Sequence, residues 1–377
     1  MSLIYRIASR NLFQDRIRFV ATIIGIVFSI VLITIQMGLF LSFQRMVTTM
    51  IDHTTADLWI VPFGTQCFEN PAWLDAHDRA RALSVEGVTH AVPVVVGFTG
   101  WTVPAGGTTP VLVIGSEMTP AGLSAWNVVQ GNLDALSTPH AVAVDRTYFD
   151  RLGITGIGDS TEIHEQRAEV KAITSGIRSF TTTPYVFTSL DRAQAYTRTE
   201  PNRVSYFLVH VASGTDIDGV RKRLLATVAH AEILTPDEFR SRSQAFWLFG
   251  TGAGAALFAG ALLGAIVGTV IVAQTLYSST KDHLTEFATL RAIGSSGTYI
   301  HKVIVCQALI GAVIGFVLAA SVSLVVVEAT AETALPILMT PALTLGLFLL
   351  TVLMCVVSAL AAIVKVMHID PARVFSH

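Results

Sequence analysis

The side chains best suited to act on another molecule stand in one run, Ser278-Ser279-Thr280-Lys281-Asp282-His283-Leu284-Thr285-Glu286-Phe287-Ala288-Thr289-Leu290-Arg291-Ala292-Ile293-Gly294. Ser279 with Asp282 fits a capping box and Gly294 fits a C′ stop, so the spacing predicts about three turns of helix between them. On that helix Leu284, Phe287, Ala288 and Arg291 share a face. Glu286 and Arg291 are five residues apart, which is not the spacing of a helical ion pair, so both charges are free to meet something else. The chemistry on offer is docking, through an aromatic ring flanked by an acid and a base. The pattern alone leaves two occupants for that face, a partner protein or the surface of a bilayer.

Bond-making chemistry has no comparable cluster. A phosphate-binding Walker A loop needs a Lys followed by Ser or Thr. The five lysines here precede Ala172, Arg223, Asp282, Val303 and Val366, so the chain holds no ATP in that way. His-Glu-x-x-His, Gly-x-Ser-x-Gly and Cys-x-x-Cys are all missing, and the 11 histidines are scattered, with His164-Glu165 reading as an exposed edge. No metal site, catalytic group or cofactor is expected in this chain. Of the 3 cysteines, Cys306 and Cys355 sit in apolar runs and only Cys67 lies elsewhere, which excludes a disulfide framework. A net charge of −2 argues against nucleic acid as a partner.

The elements that must position the run are apolar. Four uncharged stretches, Phe19–Phe43, about Phe246–Leu276, Val303–Val327 and Ala342–Val364, each exceed the roughly 20 residues that cross a bilayer. With 52% hydrophobic and 14% charged residues, the composition agrees. The expected fold is a membrane protein of four transmembrane α-helices, one plus three, with a large α/β extracytoplasmic domain inserted between the first and second. Arg6, Arg10, Arg16 and Arg18 precede the first span, Lys281, Arg291 and Lys302 lie between the second and third, and Lys365 and Arg373 follow the fourth. Positive flanks stay in the cytoplasm, so both termini and the 277–302 link are expected there and the 45–245 block outside. The boundaries read 1–18 for a cytoplasmic N-terminal helix and 19–44, 246–276, 303–327 and 342–364 for the spans. Residues 328–341 form a short outer loop, and 365–377 a cytoplasmic tail. The spans carry hydroxyls, Gln36, Gln274 and Gln307 but no ionisable group, which argues against a proton-coupled carrier.

Gly260, Gly264 and Gly268 recur every four residues in the second span, and Gly311 and Gly315 repeat the spacing in the third. Such a face lets another helix approach closely, either from this chain or from a second copy. Gly250, Gly252 and Gly254 just before the second span allow a bend. In the outer block, β-type runs fall at 58–61, 91–96, 111–115, 141–144, 169–173, 184–187 and 206–211. Helical stretches fall at 71–83, 146–152, 191–196 and 216–229, and Gly106-Gly107 marks a hairpin. About 200 residues suffice for a core, with two subdomains expected and an inserted part near 98–180.

The link Glu286-Phe287-Ala288-Thr289-Leu290-Arg291-Ala292-Ile293-Gly294-Ser295 resembles that of the FtsX/MacB-type permeases of ABC transporters, the mechanotransmission class. The family's basic residue before the Glu is not matched, since His283 stands there. The start, Ala8-Ser9-Arg10-Asn11-Leu12, resembles the family's N-terminal amphipathic segment, and Ile369-Asp370-Pro371-Ala372-Arg373-Val374-Phe375 its closing motif. Within the family, Ala56-Asp57-Leu58-Trp59-Ile60 and the short outside domain look most like DevC-type permeases. The resemblance implies a non-catalytic permease subunit in a bacterial inner membrane. It implies a homodimer, or a heterodimer of related permeases, and a separate ABC ATPase that would bind ATP and Mg. A periplasmic membrane-fusion adaptor and a TolC-like outer-membrane protein complete the expected partners. Residue by residue it assigns Glu286, Phe287, Leu290, Arg291 and Gly294 to ATPase coupling, with Asp282 and His283 beside them and Arg10, Asn11, Pro371 and Phe375 bracing. Rival readings are an FtsX-like regulator of cell-wall hydrolases, a lateral extruder of a membrane-dissolved compound such as haem near Met37 or Met46, and a sensor receptor.

Overall fold

The computed structural model describes residues 3–282 and 297–367. Four of its helices are long and apolar enough to cross a membrane: Arg16–Met46, Ala253–Lys281, His301–Thr330 and Pro341–Val364. The chain divides into two compact units, one of these helices and one of residues 42–254 together with Glu332–Leu335.

In the helical unit, backbone polar groups are satisfied within each helix, as hydrocarbon requires. Hydroxyls follow the same logic. Thr34 donates to the Ile30 carbonyl, Thr269 to that of Ala265 and Thr351 to that of Leu347, each at 2.7 Å. Ser358 on the fourth helix donates to the Thr269 carbonyl on the second at 2.8 Å, a direct tie between spans. The apolar seam is made by Ile26, Ile30 and Ile33 of the first helix with Ala261 and Val272, Ala308 and Ala312, and Met354 and Ala359 of the others.

The small-residue faces are filled from within the chain. A Cβ added to Gly268 would fall 2.5 Å from both Ser29 Oγ and Met354 Cε, and one on Gly260 2.8 Å from the Gln36 amide. At Gly264 it would meet Ile33 at 3.1 Å, and at Gly315 it would meet Ile26 at 2.6 Å. The first helix therefore lies in the groove that these glycines open, and Gly311 alone of the five faces open space.

Two expectations at the ends of the second span change. Its long helix begins at Ala253, because Phe246–Gly250 is a π-helical turn and Gly252 breaks the backbone at φ +77°. At the other end the N-cap expected at Ser279 does not form. The helix runs on through Asp282, with Thr280 donating to the Leu276 carbonyl at 2.7 Å.

The α/β unit is built on one mixed sheet. Its strands are β1 (Leu58–Pro62), β2 (Leu74–Asp75), β3 (Val88–Thr102), β4 (Thr108–Ser116), β5 (Val128–Gly131) and β6 (Ala141–Asp145). They continue as β7 (Ser160–Ile163), β8 (Gln166–Thr174), β9 (Tyr185–Ser189), β10 (Arg203–Val204), β11 (Tyr206–Val211) and β12 (Ala231–Leu234). The order is β12-β1-β11-β3-β4-β9-β6-β8-β5, with β7 bridging β3 and β8, while β2 and β10 pair separately. Only β4–β9 and β6–β8 are parallel. Successive residues of β1 enter opposite clusters, Leu58 and Ile60 one, Trp59 and Val61 the other, so the sheet is covered on both faces.

The long β3–β4 hairpin runs through the segment expected to form an inserted subdomain, so one continuous sheet replaces the two-part layout. Gly106 and Gly107 close that hairpin at positive φ, as their pairing indicated. His164 and Glu165 form the two-residue turn between β7 and β8, both at positive φ. The helix expected over 71–83 is confined to Asp78–Leu83. Asp75 accepts from the His77 backbone N–H at 2.9 Å, which makes a turn, and β2 precedes it.

Filling the groove is costly where it is tightest. Gly268→Leu is expected to lower stability by about 1–3 kcal/mol through overpacking, whereas Gly311→Leu leaves the fold of the chain unchanged. Thermal melting of both variants in detergent checks this, and equal melting temperatures would contradict the packing.

Candidate coupling site

The docking face read from the sequence lies mostly outside the described residues: His283, Glu286, Phe287, Leu290, Arg291 and Gly294, as well as Pro371 and Phe375, are not among them. The structure describes the elements that flank it in the chain. Asp282 is the last residue of the second-span helix, so a single helix of 30 residues leads to it. Arg10 and Asn11 lie on the helix Leu3–Gln14, which packs along the helix Gly297–Thr330. Arg10 is exposed and lines a shallow hollow with Ser9, Phe13 and Gln14. Asp15 separates this helix from the first span and accepts from the Arg18 backbone N–H at 3.3 Å, holding the Arg18 guanidinium at 2.9 Å. A carboxylate at a helix start meets the positive end of the helix dipole.

At the α/β unit, three segments of chain connect to the spans. The first is residues 42–57. The end of the first-span helix is followed by the short helix Thr49–Asp52, and Asp52 pairs with Arg240 at 2.7 Å. His53 stacks on Trp126 with centroids 3.8 Å apart, and Gln244 donates to the Gln44 carbonyl at 3.3 Å. The second is 236–254. Helix Pro236–Ala245 opens with a full capping box, Thr235 and Glu238 each bonding the other's backbone N–H, and passes into the π turn. The third is Glu332–Leu335, read from the sequence as a plain loop. Ala334 packs against the sheet's core, and Glu332 stands 3.8 Å from Arg146, an exposed pair that contributes little energy.

Where the first two segments meet, aromatic rings form a cluster, edge-on and tilted to one another. Phe180, from the loop between β8 and β9, sits 4.8 Å from Phe43 and 4.3 Å from Trp247, centroid to centroid. Phe180 is held out by a pinned loop. Asp145 accepts from the Ile177 N–H at 2.8 Å and the Thr174 hydroxyl at 3.0 Å, and Tyr148 accepts from the Ser179 N–H at 3.0 Å. The Trp247 indole N–H donates at 3.1 Å to Glu69, whose carboxyl also accepts from Tyr185 at 3.4 Å. Glu69 is buried, and burial pushes its carboxyl up to about 7. Burial likewise pushes the Cys67 thiol up to about 12. No spacing in the sequence marks Glu69, Tyr185 or Trp247. The one local signal missed is Thr235-Pro236-Asp237-Glu238, a capping box with Pro at N1 that announces the helix behind Trp247.

Two family models cover the chain. One, described as MacB-like periplasmic core domain, matches residues 19–227; the other, described as FtsX-like permease C-terminal, matches residues 241–371. The chain belongs to the MacB/FtsX-like family of ABC transporter permeases. The permease is thus a transmembrane component of a class that works with an ABC ATPase and is itself normally non-catalytic. Solved structures similar to it include the periplasmic region of MacB from Actinobacillus actinomycetemcomitans, at 12% identity and TM-score 0.38, covering 50% of this chain and 92% of that one. Another is the extracellular domain of the ABC-type transporter YknZ from Gram-positive bacteria, at 16% identity and TM-score 0.37, covering 48% of this chain and 99% of that one. No curated protein matches the permease sequence.

The break before the second span depends on a residue without a side chain. Gly252→Val is expected to cost about 1–2 kcal/mol, the price of a left-handed backbone for an L-residue. Gly250→Ala, whose Cβ would have its nearest neighbour at 3.5 Å, is expected to be neutral. Chemical denaturation of the two variants separates the cases.

Proposed function

We propose that this permease carries the ATP-driven motion of a separate ATPase to its α/β domain, which acts on a periplasmic or outer-leaflet substrate. The observation that carries this reading is the unbroken helix Ala253–Asp282. At 1.5 Å per residue it spans about 45 Å, enough to cross the hydrocarbon and protrude beyond it. Displacement at Asp282 is therefore delivered along a rigid rod to Gly252 and the π turn. In this reading Glu286, Phe287, Leu290, Arg291 and Gly294 dock the ATPase, with Asp282 and His283 at the start of the docking face. Arg10, Asn11, Pro371 and Phe375 brace the same cytoplasmic end.

The ATPase binds ATP and Mg, and both termini of the permease face the cytoplasm, in accord with the basic flanks. The working assembly is two copies of the permease, and Gly311 is the small residue left open for a neighbour. The resemblance to DevC-type permeases supports export with a membrane-fusion adaptor and a TolC-like duct in an inner-membrane efflux system.

Two measurements test this. Affinity purification of the tagged permease from mild detergent, with mass spectrometry, is expected to recover an ABC ATPase and a periplasmic adaptor. An ATPase alone would favour lateral extrusion or control of wall hydrolases, and neither partner would overturn the reading. Arg291→Glu is expected to abolish stimulation of the ATPase by the permease, about tenfold or more, with membrane insertion unchanged. Stimulation at the wild-type level would remove Arg291 from the docking face.

A further inference from the structure

Glu69 is a buried acid with neutral partners. Its two side-chain donors are the indole N–H of Trp247, at 3.1 Å, and the hydroxyl of Tyr185, at 3.4 Å. The other titratable groups that face it are Cys67 on its own loop and Tyr206 on β11, with Tyr148 behind Tyr185. The cation on the adjacent helix, Arg242, is bound to Glu232 at 2.7 Å and to the Thr65 carbonyl at 3.1 Å. No ion pair reaches Glu69 among the described residues. A carboxylate here would be a charge taken from water without a counter-ion, which costs far more than burying the neutral acid.

The two sides of this contact differ in how firmly they are held. On the Glu69 side, Tyr206 donates to the backbone carbonyls of Phe68 at 2.9 Å and Cys67 at 3.2 Å, and Phe68 packs against Trp59 and Tyr206 in the sheet's core. On the Trp247 side, the ring belongs to a π turn that ends in the exposed residues Gly250 and Thr251 and the break at Gly252. Phe249, two residues on, is 70% exposed. The loop is thus anchored in the sheet's core, whereas the turn is held to the domain through Trp247, beside the buried Leu248.

We infer that Glu69 is a proton-operated latch on the turn that leads into the second span: as a neutral acid it stays buried beneath Trp247, and on ionisation the cost of a buried charge without a counter-ion outweighs the stronger bonds that Trp247 and Tyr185 donate to a carboxylate, so the contact opens to water. The sign follows from linkage. The closed form keeps its proton up to about pH 7, whereas a solvated Glu loses it near 4.5. Between those values the closed form binds the extra proton, so rising pH favours opening by about tenfold per pH unit, and above about 7 the effect levels off. The motion transmitted to the domain would then be gated by the acidity of the compartment around it. The gating of transmitted motion rests on the transport reading above; the latch itself rests on the domain's own geometry.

Cys67 supplies the reporter. It lies two residues from Glu69, is 1% exposed, and its thiol also faces the Trp247 indole. The experiment uses the full chain in lipid nanodiscs without ATPase, in a Cys306→Ala, Cys355→Ala background. The rate of Cys67 alkylation by a maleimide is measured from pH 5 to pH 8 in the otherwise native chain and in Glu69→Gln. Gln keeps an acceptor for Trp247 and cannot ionise, so the ratio of the two rates cancels the thiol's own pH dependence. The ratio is expected to rise about 100-fold between pH 5 and pH 8. A rise of less than about tenfold overturns the latch. Trp247→Phe keeps a ring against Phe180 and removes the N–H, so it serves if Glu69→Gln fails to insert. Relative to a free thiol at the same pH, its alkylation is expected to be fast at both ends of the range, with the native pH-dependent step gone. Persistence of that step in Trp247→Phe overturns the proposal equally. Because no ATPase is present, a negative result here is separate from a negative result in the docking tests.

Discussion

Inside hydrocarbon every backbone N–H and C=O must find a partner within the chain, and this one constraint fixes the architecture of the permease. It forces the crossings to be helices, and helices can pack closely only where side chains are small. Gly260, Gly264 and Gly268 supply that place on the second helix, and Ser29, Ile33 and Gln36 of the first helix fill it. The α/β domain is inserted between these two helices, and its two ends continue from them. Within the domain, the Asp52–Arg240 pair and the Gln244–Gln44 bond hold those ends together independently. The two segments of chain are therefore held together twice, by close approach without water in the spans and by charge and hydrogen bonding where water is at hand.

The parts of this arrangement legible in the sequence are those with a strong one-dimensional signature. Uncharged runs of more than 20 residues admit few readings, and β1 and β6, buried along their whole length, appear as continuous β-branched and apolar stretches. The edge strand β5 was illegible for the opposite reason. Val128–Gly131 is largely exposed and carries no alternation, and it pairs only because β8 offers it an edge. Ser279 shows how a correct local rule loses. Its capping geometry requires the chain to leave the helix there, but the helix of the second span, already propagating, adds a turn at less cost than stopping and renucleating. The spacing of glycines gave the packing face but not its occupant, because periodicity describes one helix and packing needs two.

The coupling site was split in the same way. The residues read as a docking face had types at telling spacings. The aromatic cluster of Phe43, Phe180 and Trp247 had none, since its members come from three segments more than sixty residues apart and meet only when the sheet is complete. Glu69 is the sharpest case. In the sequence it is one acid in an irregular loop, and acids in loops are ordinarily solvated. Only the fold puts Trp247 and Tyr185 over it and withholds a cation.

Stiffness and compliance are distributed unevenly along the path from membrane to domain. The second-span helix is one rod from Ala253 to Asp282, and the helix behind Thr235 is capped and bound to Asp52 through Arg240. Between them lie only the π turn, Thr251 and Gly252. In the proposed function, a displacement along the rod is absorbed where the backbone is least constrained, because packed helices move as bodies and resist bending. Seven residues, Phe246 to Gly252, thus bear the change. Among them Trp247 alone makes both a polar bond and ring contacts into the domain, through Glu69 and Phe180. In the proposed transmission of motion, the strength of that one attachment decides how much reaches the sheet and how much is lost in the turn.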